Sequence, residues 1–168
     1  MALVIEDGSV VESANTYVSV ADVSSFCILM NYTEWTSAPD TVAETVKKES
    51  AIIRSMQFFE SLQYLGEKTL YDNPLEWPRQ DVYLSTGDEF PNDEIPSELK
   101  KAVCEGAYIE YKTPSVLFEA GGSSRKVKFK KIDVLETEYF SFENSVPYPK
   151  LKKLVSKYLN SGLTLVRS

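Results

Sequence analysis

Four acidic side chains, Asp88, Glu89, Asp93 and Glu94, stand within seven residues and offer the hard oxygen donors that a divalent cation takes. Their spacing is not that of an EF-hand loop, and a solvated acidic loop is the simpler reading of the same residues. A second group, Arg125, Lys126, Lys128, Lys130 and Lys131, interleaves with Val127 and Phe129, as in a strand that tracks a nucleic-acid backbone. A strand with its apolar face inward and lysines outward, guarding an edge against aggregation, has the same pattern. The chain has no histidine, which removes the commonest general base, the commonest metal ligand and every histidine-containing triad. Cys27 and Cys104 sit among apolar neighbours without a CxxC pair and read as reduced core thiols. Gly121-Gly122 precedes neither the lysine pattern nor the helix of a phosphate loop. No Ser/Lys or Asp/Glu pair is spaced distinctively, so the expectation is a protein that is not an enzyme and holds no cofactor or metal.

These residues belong to 168 amino acids, 43% apolar and 26% charged, the balance of a soluble globular domain with a substantial core. No apolar run approaches the roughly 18 residues of a membrane span. Met1 leads into Ala2-Leu3-Val4-Ile5 and Glu6-Asp7, without a basic start or small-residue cleavage site, so residence in the cytoplasm where the chain is made is expected. Charge is unevenly spread: residues 1–122 hold 8 Lys and Arg against 21 Asp and Glu, and residues 123–168 hold 10 against 4. An acidic body with a basic tail suits head-to-tail stacking on copies or partners of complementary sign, and does not suit a body that grips phosphate.

The elements that position these groups read mainly as helices. Residues 3–18 form a short extended arm or hairpin. Ser19, with Asp22 in the place of a capping-box partner, opens a helix of about Val20 to Met30, with Val23, Phe26, Cys27 and Met30 on one face. Asp40 is the candidate cap of a long helix from Thr41 to about Leu65, stopped by Gly66, whose stripe is Val42, Val46, Ile52, Ile53, Met56, Phe59 and Leu62. Glu67 to Ile95 is a long loop tied down by its own side chains, Tyr71, Trp77, Tyr83 and Phe90 being the candidate ties. Within it Trp77 seeks burial, Pro78 pins the backbone and Arg79 offers a planar fork to carbonyls or carboxylates, which makes the three the loop's anchor. Pro96 opens a helix to about Lys112, in which Ala102, Gly106 and Ala107 allow close approach by a neighbour. Gly121 to Ser124 is a flexible joint, followed by a strand pair or one bent strand. A last helix, about Tyr148 to Asn160, presents Leu151, Leu154, Val155 and Tyr158, and Gly162 stops it before an apolar tail, Leu163 to Ser168. The expected fold is a small bundle of about four helices with a long anchored loop and a short β pair or hairpin near the C-terminus, all within one domain spanning 1–168.

Asn15-Thr16-Tyr17-Val18-Ser19-Val20-Ala21-Asp22 before the first helix is followed in order by Trp77-Pro78-Arg79 and by Ile95-Pro96 opening a helix with Ala102, Glu105 and Ala107. A basic strand and a helix entered through Pro147-Tyr148-Pro149 complete the series. This order resembles the head–tail connector adaptors of tailed bacteriophages, a family in which some members carry the label DnaT-like single-stranded DNA-binding protein. The resemblance covers nearly the whole chain. It departs from the usual pattern in lacking a Gly/Arg-rich start to the long loop and in its longer, more lysine-rich strand. It implies a mostly helical subunit of a ring, usually a dodecamer, docked beneath the portal protein and above tail or head-closure proteins in the virion neck. Tyr148, Leu151, Leu154, Tyr158, Leu163, Leu165, Val166 and Arg167, within the segment 148–168, are then expected to dock on the portal. Arg125, Lys126, Lys128, Lys130 and Lys131 are expected to form a basic interface strand. The acidic body borders a channel through which DNA slides without sequence-specific binding. The alternative is a single-stranded-DNA-binding protein of phage replication, with salt-sensitive binding centred on the same basic strand.

Overall fold

The computed structural model describes residues 2–119 and 148–160. Their element order is α1 (Val20–Leu29), α2 (Thr33–Thr36), α3 (Val42–Glu60), β1 (Glu67–Lys68), β2 (Arg79–Gln80), α4 (Ser97–Lys112), α5 (Val116–Glu119), α6 (Pro149–Val155) and a 3-10 turn, Ser156–Tyr158. Among the described residues the fold is mostly helical with one small two-stranded antiparallel sheet. Four longer helices, α1, α3, α4 and α6, carry it, and α2 and α5 are single turns beside them. The expected strand pair near the C-terminus, the joint at Gly121 to Ser124 and the tail from Leu163 lie outside the described residues.

Local chemistry sets the helix starts. Ser19 and Asp22 close a capping box: the Asp22 N–H donates to Ser19 Oγ at 3.1 Å and the Ser19 N–H to Asp22 Oδ2 at 2.7 Å. Val23 and Cys27 bury against α4, whereas Phe26 is half-buried and Met30 is 43% exposed. α1 ends at Leu29, so Met30 is its C-cap rather than part of its face, and Asn31 follows in the left-handed region at φ 56°.

α3 begins one residue later than expected, because Thr41 is the cap, its Oγ1 accepting the Glu44 N–H at 3.2 Å. It ends at Glu60, five residues early, where Ser61 donates its hydroxyl to the Phe58 carbonyl at 2.7 Å. Gly66 therefore does not stop the helix. It serves the turn into β1 at φ 66°, where a Cβ would stand 2.1 Å from the Gln80 carbonyl oxygen. Ile52, Met56 and Phe59 form the buried stripe, but Val42 and Val46, expected in it, are 83% and 51% exposed. Phase explains Val46, since the six residues from it to Ile52 turn about 600° and leave the two about 120° apart around the axis, whereas Val42 is the first residue of the helix.

α4 is the central helix, packing on α3, α6 and α1. Ala102 and Ala107 are fully buried, and a Cβ on Gly106 would lie 2.4 Å from Ser55 Oγ, so α3 and α4 approach closely there. Ser55 Oγ donates across that seam to the Val103 carbonyl at 3.0 Å. α6 lays Leu151 and Val155 into the core, and the following turn adds Tyr158. The helix is shorter than the expected Tyr148 to Asn160, since Leu159 pairs with Tyr64 in an antiparallel bridge.

The N-terminal arm folds around a buried carboxylate. Glu6 accepts the backbone N–H groups of Gly8 at 2.9 Å, Val10 at 3.0 Å and Val11 at 2.8 Å, and Ile5 bridges Thr16 in parallel. A fully buried acid is thus satisfied by backbone donors.

Candidate interaction surfaces

The long loop is pinned at three neighbouring residues. Trp77 is fully buried and meets Tyr64, Phe90 and Tyr158 edge to face, at centroid distances of 5.8, 5.6 and 5.5 Å. Pro78 follows through a cis peptide bond. Arg79 donates through Nε to the Leu65 carbonyl at 2.8 Å, through Nη2 to that of Gly66 at 2.7 Å and through Nη1 to Glu76 Oε2 at 2.7 Å. Its fork closes β1 onto β2, in the register Glu67 with Gln80 and Lys68 with Arg79. Among the expected ties, Trp77 and Phe90 pack inward, whereas Tyr71 is wholly exposed and Tyr83 56% exposed.

Beneath this anchor, Glu60 accepts the Tyr17 hydroxyl at 2.6 Å and the Glu76 N–H at 2.7 Å, and Tyr17 in turn accepts the Trp77 N–H at 3.1 Å. Burial pushes the Glu60 carboxyl up to about 7, against the donors that favour its charge. Burial likewise raises the Tyr17 phenol and pushes the Cys27 and Cys104 thiols up to about 12, so both cysteines remain protonated core groups.

The described positive charge is largely met by carboxylates of the same chain. Arg54 pairs with Glu110 at 2.9 Å, Lys112 with Glu34 at 2.7 Å, Lys157 with Glu98 at 2.7 Å, and Lys150 with Glu105. Hydrogen bonding to Lys157 leads in holding Glu98 down at about 2, and Lys112 does the same for Glu34. Asp88, Glu89, Asp93 and Glu94 stay exposed, with Asp88 bonded to Thr86 at 2.8 Å. No group of three or more acidic or cysteine side chains among the described residues is arranged to hold a metal ion.

Of the residues expected to dock on a portal, Leu151 and Tyr158 are buried in the subunit's own core, and Tyr148 and Leu154 are partly buried against it. Lys150, Lys153, Leu154 and Lys157 line a shallow groove with Glu98. Leu163, Leu165, Val166 and Arg167 lie outside the described residues, as do Arg125, Lys126, Lys128, Lys130 and Lys131. A second groove runs between the N-terminal arm, α1 and α4. Its lining includes the apolar side chains of Ile5, Val18, Phe26 and Leu29 and the charged ones of Asp7, Asp22, Lys100 and Lys101. Leu29 is 84% exposed and its neighbour Ile28 67%. Neither belongs to the face of α1 formed by Val23, Phe26, Cys27 and Met30, and both point outward.

The described residues thus define a small, mainly helical, acidic domain whose distinctive outward features are an apolar groove and a lysine-bearing C-terminal helix. A family model described as "Putative DnaT-like ssDNA binding protein" matches residues 1–168, and the chain belongs to that family. The match agrees with the DnaT-like label attached to some of the connector adaptors that the sequence resembles, and does not itself support a connector role. No curated protein and no solved structure matches the chain. Among the described residues, no helix is long and apolar enough to cross a membrane.

Proposed function

We propose that the chain is a structural, non-catalytic head–tail connector subunit, forming a ring between the portal protein and the tail or head-closure proteins and continuing the DNA channel. The observation that carries this reading is an exposed apolar groove on an acidic body. Residues 2–119 hold 8 Lys and Arg against 21 Asp and Glu, and the cations at 54, 79, 112, 150 and 157 are spent on internal carboxylates. Such a surface repels phosphate and favours protein, and a groove on one side that meets a different face of the next copy gives a closing heterologous ring. The site of action is the neck of the virion, after synthesis in the host bacterial cytoplasm. Portal docking then rests on the outward side of α6 and the residues after it, since Leu151 and Tyr158 already fill the core. The test is incubation of the purified chain with portal-bearing heads: stoichiometric attachment, seen by negative-stain imaging as a collar, is expected. Absence of attachment at micromolar concentration would overturn the reading.

The family's description fits the second reading better: a single-stranded-DNA-binding protein of phage replication. The sequence places its contact at Arg125, Lys126, Lys128, Lys130 and Lys131, where five cations fall within seven residues. An electrophoretic shift with single-stranded DNA separates the two. Binding that weakens steeply with salt, and disappears with Lys126, Lys128 and Lys130 all changed to Ala, would establish the second reading at the expense of the first.

A further inference from the structure

We infer that copies of this chain associate head to tail, the first turns of α3 in one copy seating in the groove between the N-terminal arm, α1 and α4 of the next. The inference rests on the connector reading for the expectation that copies meet, and names the surfaces by which they do. None of the nine residues from Val42 to Ser50 is buried, so more than two turns of α3 precede Ala51, its first core residue. Val42, at 83% exposure, Val46, at 51%, and Glu49 stand at i, i+4 and i+7 on one side of the helix, with the exposed Ala43 beside the valines. That spacing suits a helix laid in an apolar groove. The groove, of about 410 Å³, exposes Leu29 to 84% and Ile5 to 40%, an apolar surface that the described residues leave uncovered.

A copy cannot fill its groove with its own α3. Glu44 accepts the Tyr111 hydroxyl, and the Lys47 ammonium lies 4.1 Å from the centre of the Tyr111 ring, which fixes the start of α3 beside the C-terminal end of α4. The groove takes its α4 residues, Ser97, Lys100, Lys101 and Cys104, from seven to fourteen positions before Tyr111, about 10–21 Å away along the axis. Two different patches, one toward each end of one helix, make a heterologous contact that repeats from copy to copy. Charge matches the two surfaces. In the groove, Asp7 accepts from the Ser9 N–H at 3.0 Å and Asp22 from the Ser19 N–H at 2.7 Å, so both carboxylates have donors of their own. Lys100 and Lys101 form no ion pair among the described residues, and Lys100 acts on Asp7 from beyond ion-pair distance. Asp40 and Glu49, which flank the two valines in sequence, form none there either. The arriving helix thus brings two carboxylates to two lysines.

Photocross-linking of the full chain with p-benzoylphenylalanine in place of Val42 tests it. The expected product is a cross-linked dimer joining that position to a peptide containing Ile5, Phe26 or Leu29, identified by mass spectrometry. Val42→Asp and Leu29→Asp, at sites exposed enough to leave the fold unchanged by circular dichroism, should each weaken self-association by about tenfold or more, because a carboxylate resists apolar burial. Mixing the two variants should restore one contact per pair, the intact α3 of Leu29→Asp entering the intact groove of Val42→Asp. Light scattering should then show dimers that grow no further. A chain that stays monomeric without a cross-link, cross-links within the monomer or to other surfaces, or variants that do not recover on mixing would overturn the inference. Attachment to portal-bearing heads is read separately. Variants that still close a collar there would sink the inference and keep the connector reading, whereas head-to-tail dimers of the parent without attachment would do the reverse.

Discussion

Tyr32 and Tyr108 stack ring on ring, with centroids 3.9 Å apart and planes within 8° of parallel, and each donates its hydroxyl to a carboxylate on the other's side of the contact. Tyr32, at the α1–α2 corner, reaches Glu105 of α4 at 2.9 Å, and Tyr108 of α4 reaches Glu34 of α2 at 2.7 Å. Lys150 of α6 pairs with Glu105 and Lys112 with Glu34, so this reciprocal clasp joins three helices, α2, α4 and α6. Each carboxylate is neutralised by a lysine and bonded by a phenol, and each phenol packs on the other.

Tyr32→Phe keeps the stack and removes one hydroxyl bond to a charged acceptor, and should lower unfolding free energy by about 1–2 kcal/mol. Tyr32→Ala removes the stack as well and should cost a further 0.5–1.5 kcal/mol or so beyond the lost buried area. Urea unfolding of the three proteins gives both differences. Equal stability of Tyr32→Phe and the parent would mean that water replaces the hydroxyl at Glu105 without loss.

The Trp77 cluster answers to a different physics. Trp77→Ala empties a fully buried site among three aromatic rings and should cost about 3–5 kcal/mol. Trp77→Phe should cost far less, because it keeps a ring and deletes an indole N–H with no partner among the described residues. Arg79→Lys retains the charge but not the fork that serves Leu65, Gly66 and Glu76 together, and should cost about 1.5–3 kcal/mol. Thermal unfolding ranks the three. A Trp77→Ala protein as stable as the parent that fails only to assemble would place Trp77 at an interface.

Much of the fold is legible because its causes are local. The box at Ser19 and Asp22, the small residues of α4 and the apolar face of α6 each announce an element within a few positions. Val46 is misread because it stands out of phase with Ile52, and Val42 because spacing along a stripe does not reveal that the first turn of the helix lies outside the core. Phe90 and Tyr83 look alike as loop ties, yet only Phe90 finds Trp77 and Tyr158. The tyrosine clasp is invisible in the sequence, since its hydrogen bonds span 73 and 74 residues. The apolar groove escapes because its lining comes from the N-terminal arm, α1 and α4 together, and Phe26, expected on the buried face of α1, is only half-buried there.

Gly106 makes the closest approach of α3 and α4 testable. Gly106→Ala introduces a Cβ 2.4 Å from Ser55 Oγ and 3.3 Å from the Phe59 ring, and should destabilise by about 1–3 kcal/mol despite the better helix propensity of alanine. Ser55→Ala removes the nearer obstacle, leaving Cβ at 3.4 Å, and also the bond to the Val103 carbonyl. The double variant should therefore be more stable than the sum of the two single costs predicts, by about 1 kcal/mol. Strict additivity in a double-mutant cycle would show that the helices shift apart instead.

Glu60 gives the protein a pH dependence of unusual sign for a carboxylate. Burial raises its pKa from 4.5 to about 7, while hydrogen bonds from Tyr17 and the Glu76 N–H and the charge of Lys68 oppose the shift and the charge of Glu76 adds to it. Between about 4.5 and 7 the folded chain binds the proton more tightly than the unfolded one, so stability falls as pH rises through that window and levels off above it. The loss should be on the order of 1–3 kcal/mol between pH 5 and pH 8. Glu98, held at about 2 by hydrogen bonding to Lys157, contributes with the opposite sign below 4.5, where its protonation removes stability as pH falls. The two together place the maximum between pH 4.5 and 6. Urea midpoints measured from pH 4 to 9 should trace this curve, and Glu60→Gln should remove the decline from 5 to 8 while leaving the acid limb intact. A Glu60→Gln protein that keeps the full decline would assign the slope to another group and leave Glu60 ionised beneath Trp77.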